Sequence, residues 1–181
     1  MKTNSLFLDR DGVINTRIVD GYVTKEDDFV LIEGVLEAMS VFSQIFNRIF
    51  VVTNQQGIGK GLMTEEDLTA IHNSFLEKVA QSGGRIDAIY HCPKLKDEHS
   101  FMRKPSIGMA LLARRDFPDV KLKHSIMVGD TQSDMLFGRR AGMTTVLVGS
   151  EPGTAKNNPH LVDYCFDDLI SFARFLKNKT I

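Results

Sequence analysis

The order of its apolar segments most limits what this chain can fold into. Short runs rich in β-branched and aromatic residues alternate with longer stretches of helical period. Ser5–Leu8, Arg48–Thr53, Ile86–Tyr90, Ser125–Val128, Thr144–Val148 and Tyr164–Phe166 read as strands. Gly34–Phe46, Thr64–Ala80, Pro105–Asp116, Thr131–Ala141 and Asp167–Lys177 read as helices. Thr64 is an N-cap candidate followed by three acids, and Gly142 closes the fourth helix. This alternation predicts an α/β fold, a three-layer Rossmann-like parallel sheet with helices on both faces. Near-continuous apolar strands such as Phe50-Val51-Val52 fit burial on both sides. Without an internal repeat or a linker, residues 1–181 are expected to form one domain. Gly149–Pro159 is the most turn-rich stretch and is too short to divide the chain.

Composition removes several classes. Basic and acidic residues number 22 and 23, which argues against a broad basic surface for nucleic acid. No apolar run approaches the ~20 residues of a membrane span. The opening MKTNSLFLDRDG lacks the pattern of a secretory signal. Cys92 and Cys165 are the only cysteines and form no pair pattern, so a reducing cytoplasm is the expected home.

The chemistry-bearing residues collect at strand ends. Asp9 and Asp11 follow the first strand, Thr53 and Asn54 end the second, and Asp130 ends a later one. In open parallel sheets the ligand crevice lies outside the carboxyl ends of the strands. Asp9 and Asp11, two apart in extended chain, project to the same side. Close carboxylates repel and call for a cation or a shared proton. Asp130 and Asp134 add acids, and oxygen ligands without His or Cys suit Mg²⁺. A carboxylate also attacks phosphorus to form an aspartyl-phosphate, while a second acid protonates the leaving oxygen. Thr53, Asn54, Gln55 and Gln56 can hold phosphate oxygens without adding negative charge. Arg103-Lys104 places two cations before a helix, Lys104 as a point charge and Arg103 as a bidentate grip. Each motif alone has a plain structural explanation: Asp-Gly is a turn signal, and acids favour helix N-termini. Their convergence on one sheet edge carries the functional reading.

LDRDGVIN at 8–15, VVTNQQGIGKG at 51–61, RKPSIGM at 103–109 and VGDTQSDM at 128–135 resemble, in this order, the haloacid dehalogenase superfamily of phosphohydrolases. LDRDGVIN, DGYV at 20–23 and the VTNQ…G of the second motif carry a closer resemblance, to the subgroup of heptose-bisphosphate phosphatases and the histidinol-phosphatase domain. The resemblance implies an Mg²⁺-dependent phosphomonoesterase of a small phosphorylated metabolite. A heptose bisphosphate is the leading substrate and histidinol phosphate the metabolic alternative. It implies Asp9 as nucleophile and metal ligand, Asp11 as general acid/base with its carbonyl on the metal, and Asp130 as metal ligand. Thr53, Asn54 and Lys104 would hold the phosphoryl group, with Asp134 as a supporting acid. Arg103 matches a substrate-binding position, and Tyr22 and Gln55 join it as substrate candidates.

Two departures from the subgroup stand out. Of its zinc loop only Cys92 is kept, with Lys94 in place of the expected His; His91, Cys92 and His99 supply at most three ligands, too few for a closed site, so no structural zinc is expected. Thr131 stands where the heptose enzymes typically carry Lys. Asp9 and Thr53 lie 44 positions apart, and Thr53 and Lys104 lie 51 apart, which leaves no room for a cap domain. Loops Ile14–Val30 and Leu95–Phe101 are expected to cover the cleft. The other readings are a nucleic-acid 3′-phosphatase, disfavoured by the near-neutral charge, and a catalytically silent binding module, disfavoured by the complete acid set.

Overall fold

The computed structural model describes residues 3–149 and 159–179. Residues 150–158 of the turn-rich stretch lie outside them. Six parallel strands form one sheet: β1 (Thr3–Leu8), β2 (Phe46–Asn54), β3 (Ala88–Cys92), β4 (Ser125–Gly129), β5 (Thr144–Val148) and β6 (Tyr164–Phe166). Their order is β3-β2-β1-β4-β5-β6. Helices α1 (Val35–Ile45), α3 (Glu65–Gln81) and α6 (Leu169–Lys179) cover one face; α4 (Gly108–Asp116) and α5 (Gln132–Ala141) cover the other. A one-turn helix, α2 (Gln56–Gly59), follows β2. The α/β reading therefore holds.

Period-two alternation splits the strands between two cores. Leu6 and Leu8 of β1 and Ile49 and Val51 of β2 pack with Phe42, Phe75 and Phe172 of the first helical layer. Phe7, Phe50 and Val52 point the other way, onto Met109 and Phe137. Burial on both faces is what makes these strands read as continuous apolar runs.

Several boundaries differ from expectation for local reasons. β2 begins at Phe46 with no loop after α1, because Phe46 pairs with Thr3 and its ring sits 5.8 Å from Phe42. β3 runs on to Cys92, since Thr53 pairs with His91 and Asn54 with Cys92. α4 starts at Gly108 and not at Pro105: Ser106 N–H donates to the Arg103 carbonyl and Gly108 N–H to that of Phe101, a turn that precedes the helix. α6 starts after Asp168, whose carboxylate accepts the Ser171 N–H at 2.8 Å and caps the helix. The expected cap of α3 is present, with Thr64 and Asp67 bonded reciprocally.

Candidate active site

The strand order reverses at β1, whose neighbours β2 and β4 carry the chain away in opposite directions. At such a switch point the connections diverge and leave a crevice above the strand ends. Asp9 and Asp11 leave β1 there, Thr53 and Asn54 end β2, and Asp130 follows β4. Gly12 allows the exit from β1. Its φ is +92°, and a Cβ there would lie 2.0 Å from Asp130 Oδ2.

Lys104 ties the centre together. Its buried Nζ lies 2.7 Å from Asp9 Oδ1 and 2.6 Å from Asp134 Oδ1. Burial disfavours its charge, but Asp134 and Asp9 outweigh that and hold it protonated. Asp9 is the unsettled member: burial, Asp134, Asp130 and Asp11 push its carboxyl up to about 7 against the pull of Lys104. Burial also raises Asp130, in part opposed by Arg17. Burial works in the same direction at Asp11. There, the Arg10 charge and hydrogen bonds from Arg10, Asn15 and Gln55 win, and the carboxyl lies below its usual range.

The structure places the remaining predicted residues as follows. Thr53 is buried and its Oγ1 accepts from Gln55 Nε2 at 2.8 Å. The same Gln55 amide donates to Asp11 Oδ2 at 2.8 Å, so this buried side chain orients two neighbours. Asn54 turns to the Lys104 backbone, accepting its N–H at 3.0 Å and donating to its carbonyl at 3.2 Å. Asp134 accepts from the Thr131 N–H and hydroxyl while it pairs with Lys104. It is thus both the N-terminal cap partner of α5 and part of the charge cluster. Tyr22 and Arg103 meet through Gln56, which donates to the Tyr22 hydroxyl at 2.8 Å and accepts from Arg103 at 3.2 Å.

Sequence reasoning missed four residues. Arg10 is fully buried, donates to Asp11 at 3.0 Å, and lies 3.4 Å from His72 Nε2. Its guanidinium reaches the Asp11 carboxylate from a buried position, and no pattern in the sequence shows that acceptor. Asn15 donates to Asp11 at 3.0 Å. Arg17 pairs with Asp130 at 2.9 Å from a loop that carries no periodic signal. Lys60 sits 5.2 Å from the centre of the Tyr22 ring. The GKG spacing was the one available hint, as a cation beside a flexible turn.

The donor set fits a hard divalent cation. Among the described residues, one group of acids can share a metal: Asp9, Asp130 and Asp134, with one oxygen each within 4.8 Å of the others. Asp134 already holds Lys104 and Thr131, so Asp9, Asp130 and the Asp11 carbonyl are the oxygen donors that Mg²⁺ would use, the last two of which now accept from Arg17. A divalent cation there would also offset the mutual repulsion that raises Asp9. Of the shortened loop, His91 pairs with Glu65 at 2.8 Å, Cys92 is buried with Sγ 3.9 Å from the Ser100 hydroxyl, and His99 is exposed. A groove of about 470 Å³ beside Arg139, Thr144, Asp163 and Tyr164 opens at the start of β5 and β6, away from the acids. Its Arg139 and Asp163 neutralise each other at 2.7 Å.

Known proteins resemble this chain in sequence and fold. A family model described as HAD-hydrolase-like matches residues 101–171. The chain is 42% identical over 151 residues to D-glycero-alpha-D-manno-heptose-1,7-bisphosphate 7-phosphatase of Campylobacter jejuni, across 83% of this chain and 85% of that one. It is 35% identical to the D-glycero-beta-D-manno-heptose-1,7-bisphosphate 7-phosphatase of Vibrio cholerae, across 97% of both. The crystal structure of D,D-heptose 1,7-bisphosphate phosphatase from B. bronchiseptica, complexed with magnesium and phosphate, superposes with a TM-score of 0.87 at 34% identity, covering 99% of each chain. No described helix is long and apolar enough to cross a membrane. With these likenesses spanning nearly its whole length and the acids at its switch point, the chain belongs to the heptose-1,7-bisphosphate 7-phosphatase family of HAD-like hydrolases.

Proposed function

We propose that this chain is a cytoplasmic, magnesium-dependent phosphomonoesterase, a single domain without a cap, that removes the 7-phosphate of a D-glycero-D-manno-heptose 1,7-bisphosphate. The observation that carries the reading is the pairing of Asp9 with Lys104 at 2.7 Å beside an Asp11 fixed by three side chains. Asp9, Asp130 and the Asp11 carbonyl would hold the metal, which when bound shields the charge of the phosphate as the two anions approach.

Asp9 Oδ attacks phosphorus, and the bond from phosphorus to the sugar oxygen breaks. Asp11 gives that oxygen its proton. The incoming phosphate raises the proton affinity of Asp11 by charge repulsion, which loads it for this step. Asp11, now a carboxylate, takes a proton from water, whose oxygen attacks the aspartyl-phosphate. Phosphate leaves and Asp9 is restored. Lys104 holds the developing charge, and Asn54 keeps Lys104 in place through its backbone. Thr53 lines the same edge.

A second anionic group is accommodated by Arg103 and Lys60. Neither has a carboxylate within ion-pair distance among the described residues, and both reach the Tyr22–Gln56 pair. Two unneutralised cations beside the reaction centre favour a bisphosphate over a monophosphate. Phosphate release from both anomers of the heptose bisphosphate, with histidinol phosphate as the contrast, tests the substrate. The bisphosphate is expected to lead in kcat/KM, and equal turnover of histidinol phosphate would overturn that choice. Asp9→Asn is expected to abolish turnover by at least ~10⁴-fold, since it removes the nucleophile itself; full turnover would reject the covalent route.

A further inference from the structure

The Arg17 guanidinium stands where two cations have a claim. Its Nη2 donates to the Asp11 main-chain carbonyl at 2.6 Å and to both carboxylate oxygens of Asp130 at 2.9 Å, and lies 3.9 Å from Asp9 Oδ2. Its Nε adds a bond to Asp130 at 3.2 Å. These are the three groups that the proposed function assigns to Mg²⁺, and the inference rests on that assignment. A magnesium ion needs its oxygens at about 2.0–2.1 Å. An ion so placed would share its volume with a like-charged nitrogen already bonded to the same atoms. We propose that Arg17 and magnesium are alternative occupants of one seat, and that loading the metal requires the guanidinium to swing out.

The surroundings allow such an exchange. Lys104, the other cation on Asp9, has a side chain only 2% exposed and is locked between two acids. The Arg17 side chain is 47% exposed, and its neighbours Ile18 and Val19 are exposed as well, so it leaves without uncovering a core. Its loop is tied by the Thr16 N–H to the Val30 carbonyl, just before the arginine, so the side chain can move while the loop stays. The exchange keeps the acids neutralised in both states, by a guanidinium at low magnesium and by the metal at high magnesium. The apparent magnesium affinity is then the intrinsic affinity reduced by the fraction of time the seat is clear. The same linkage makes the Arg17 contact a sensor of free Mg²⁺.

Two measurements on the full-length protein test this with magnesium chloride alone as the probe. Calorimetric titration of Arg17→Gln is expected to give binding about tenfold tighter than the parent, ~1.4 kcal/mol. In the ¹⁵N-labelled parent, the Arg17 Nε–H resonance, assigned through bonds, is expected to shift and saturate at the calorimetric midpoint as its bond to Asp130 is lost. Such behaviour supports exchange even if the variant fails to fold. Affinity indifferent to residue 17, or an Nε–H resonance that ignores saturating Mg²⁺, overturns the inference while the metal site stands. Absence of any saturable Mg²⁺ binding overturns the metal site and the inference together.

Discussion

Individual residues at the centre act through very short reach. Gly12 illustrates this, since its missing side chain is what lets Asp130 approach β1. Gly12→Ala would combine a φ of +92° with a Cβ driven into the Asp130 carboxylate. We expect Mg²⁺ affinity to fall about tenfold to hundredfold, as for disturbed metal-site neighbours, with far-ultraviolet circular dichroism unchanged; calorimetry decides it. The acids and Lys104 were legible in the sequence because each sits in a short motif, after a strand for Asp9, Asp11 and Asp130, in the first turn of α5 for Asp134 and just before α4 for Lys104. Arg17, Lys60 and Arg10 were not. Arg17 reaches the acids and Lys60 reaches Tyr22 from outside the regular elements, where no period links sequence distance to spatial distance. Arg10 is hidden for the opposite reason. Strand alternation turns it inward, where an arginine is normally excluded, and only the contacts with Asp11, His72 and the Phe29 ring explain its presence.

At the scale of elements, packing overrides propensity in α5. Gly138 sits mid-helix, where alanine would be favoured by about 1 kcal/mol. A Cβ there would lie 2.7 Å from Thr145 Cγ2 and 2.9 Å from Met127 Cβ, the latter an atom fixed to its strand. Overpacking costs about 1–3 kcal/mol, so Gly138→Ala is expected to destabilise the protein on balance, by up to about 2 kcal/mol in urea unfolding. A more stable variant would show that α5 can lift off β4 freely. Among the described residues, every strand and every long helix was readable from apolar period, because both faces of the sheet are covered and each helix has one buried stripe. Boundaries were less readable. The start of α4 depends on a turn at Arg103–Gly108, and the end of β3 on its partners in β2. Both are tertiary bonds that a local pattern does not encode.

The whole molecule responds to acid through a buried histidine. Burial, the Arg10 charge and His91 push the His72 imidazole down to about 3 from its ordinary 6.5. Neutral in the fold, its Nε2 accepts from Arg10, and a proton there would set two donors against each other. The unfolded chain takes up that proton below about 6.5, the folded chain only near 3. The folded state is therefore penalised progressively as pH falls through this window, by ~1.4 kcal/mol per pH unit. His72→Gln is expected to remove about 2 kcal/mol of the stability lost between pH 7 and pH 5 in denaturant titrations. An unchanged acid limb would refute the assignment to His72. The joint between α1 and β2 has another consequence at this scale. Ile45 ends the helix and Phe46 begins the strand, so there is no slack between them. At about 3.3 Å per residue, β2 acts as a strut nearly 30 Å long, from this joint to the Thr53–Asn54 edge. A strut anchored directly to a helix transmits displacement without damping it. Adjustable length is left to the loops around the cleft mouth, where tolerance is cheap and reach matters most.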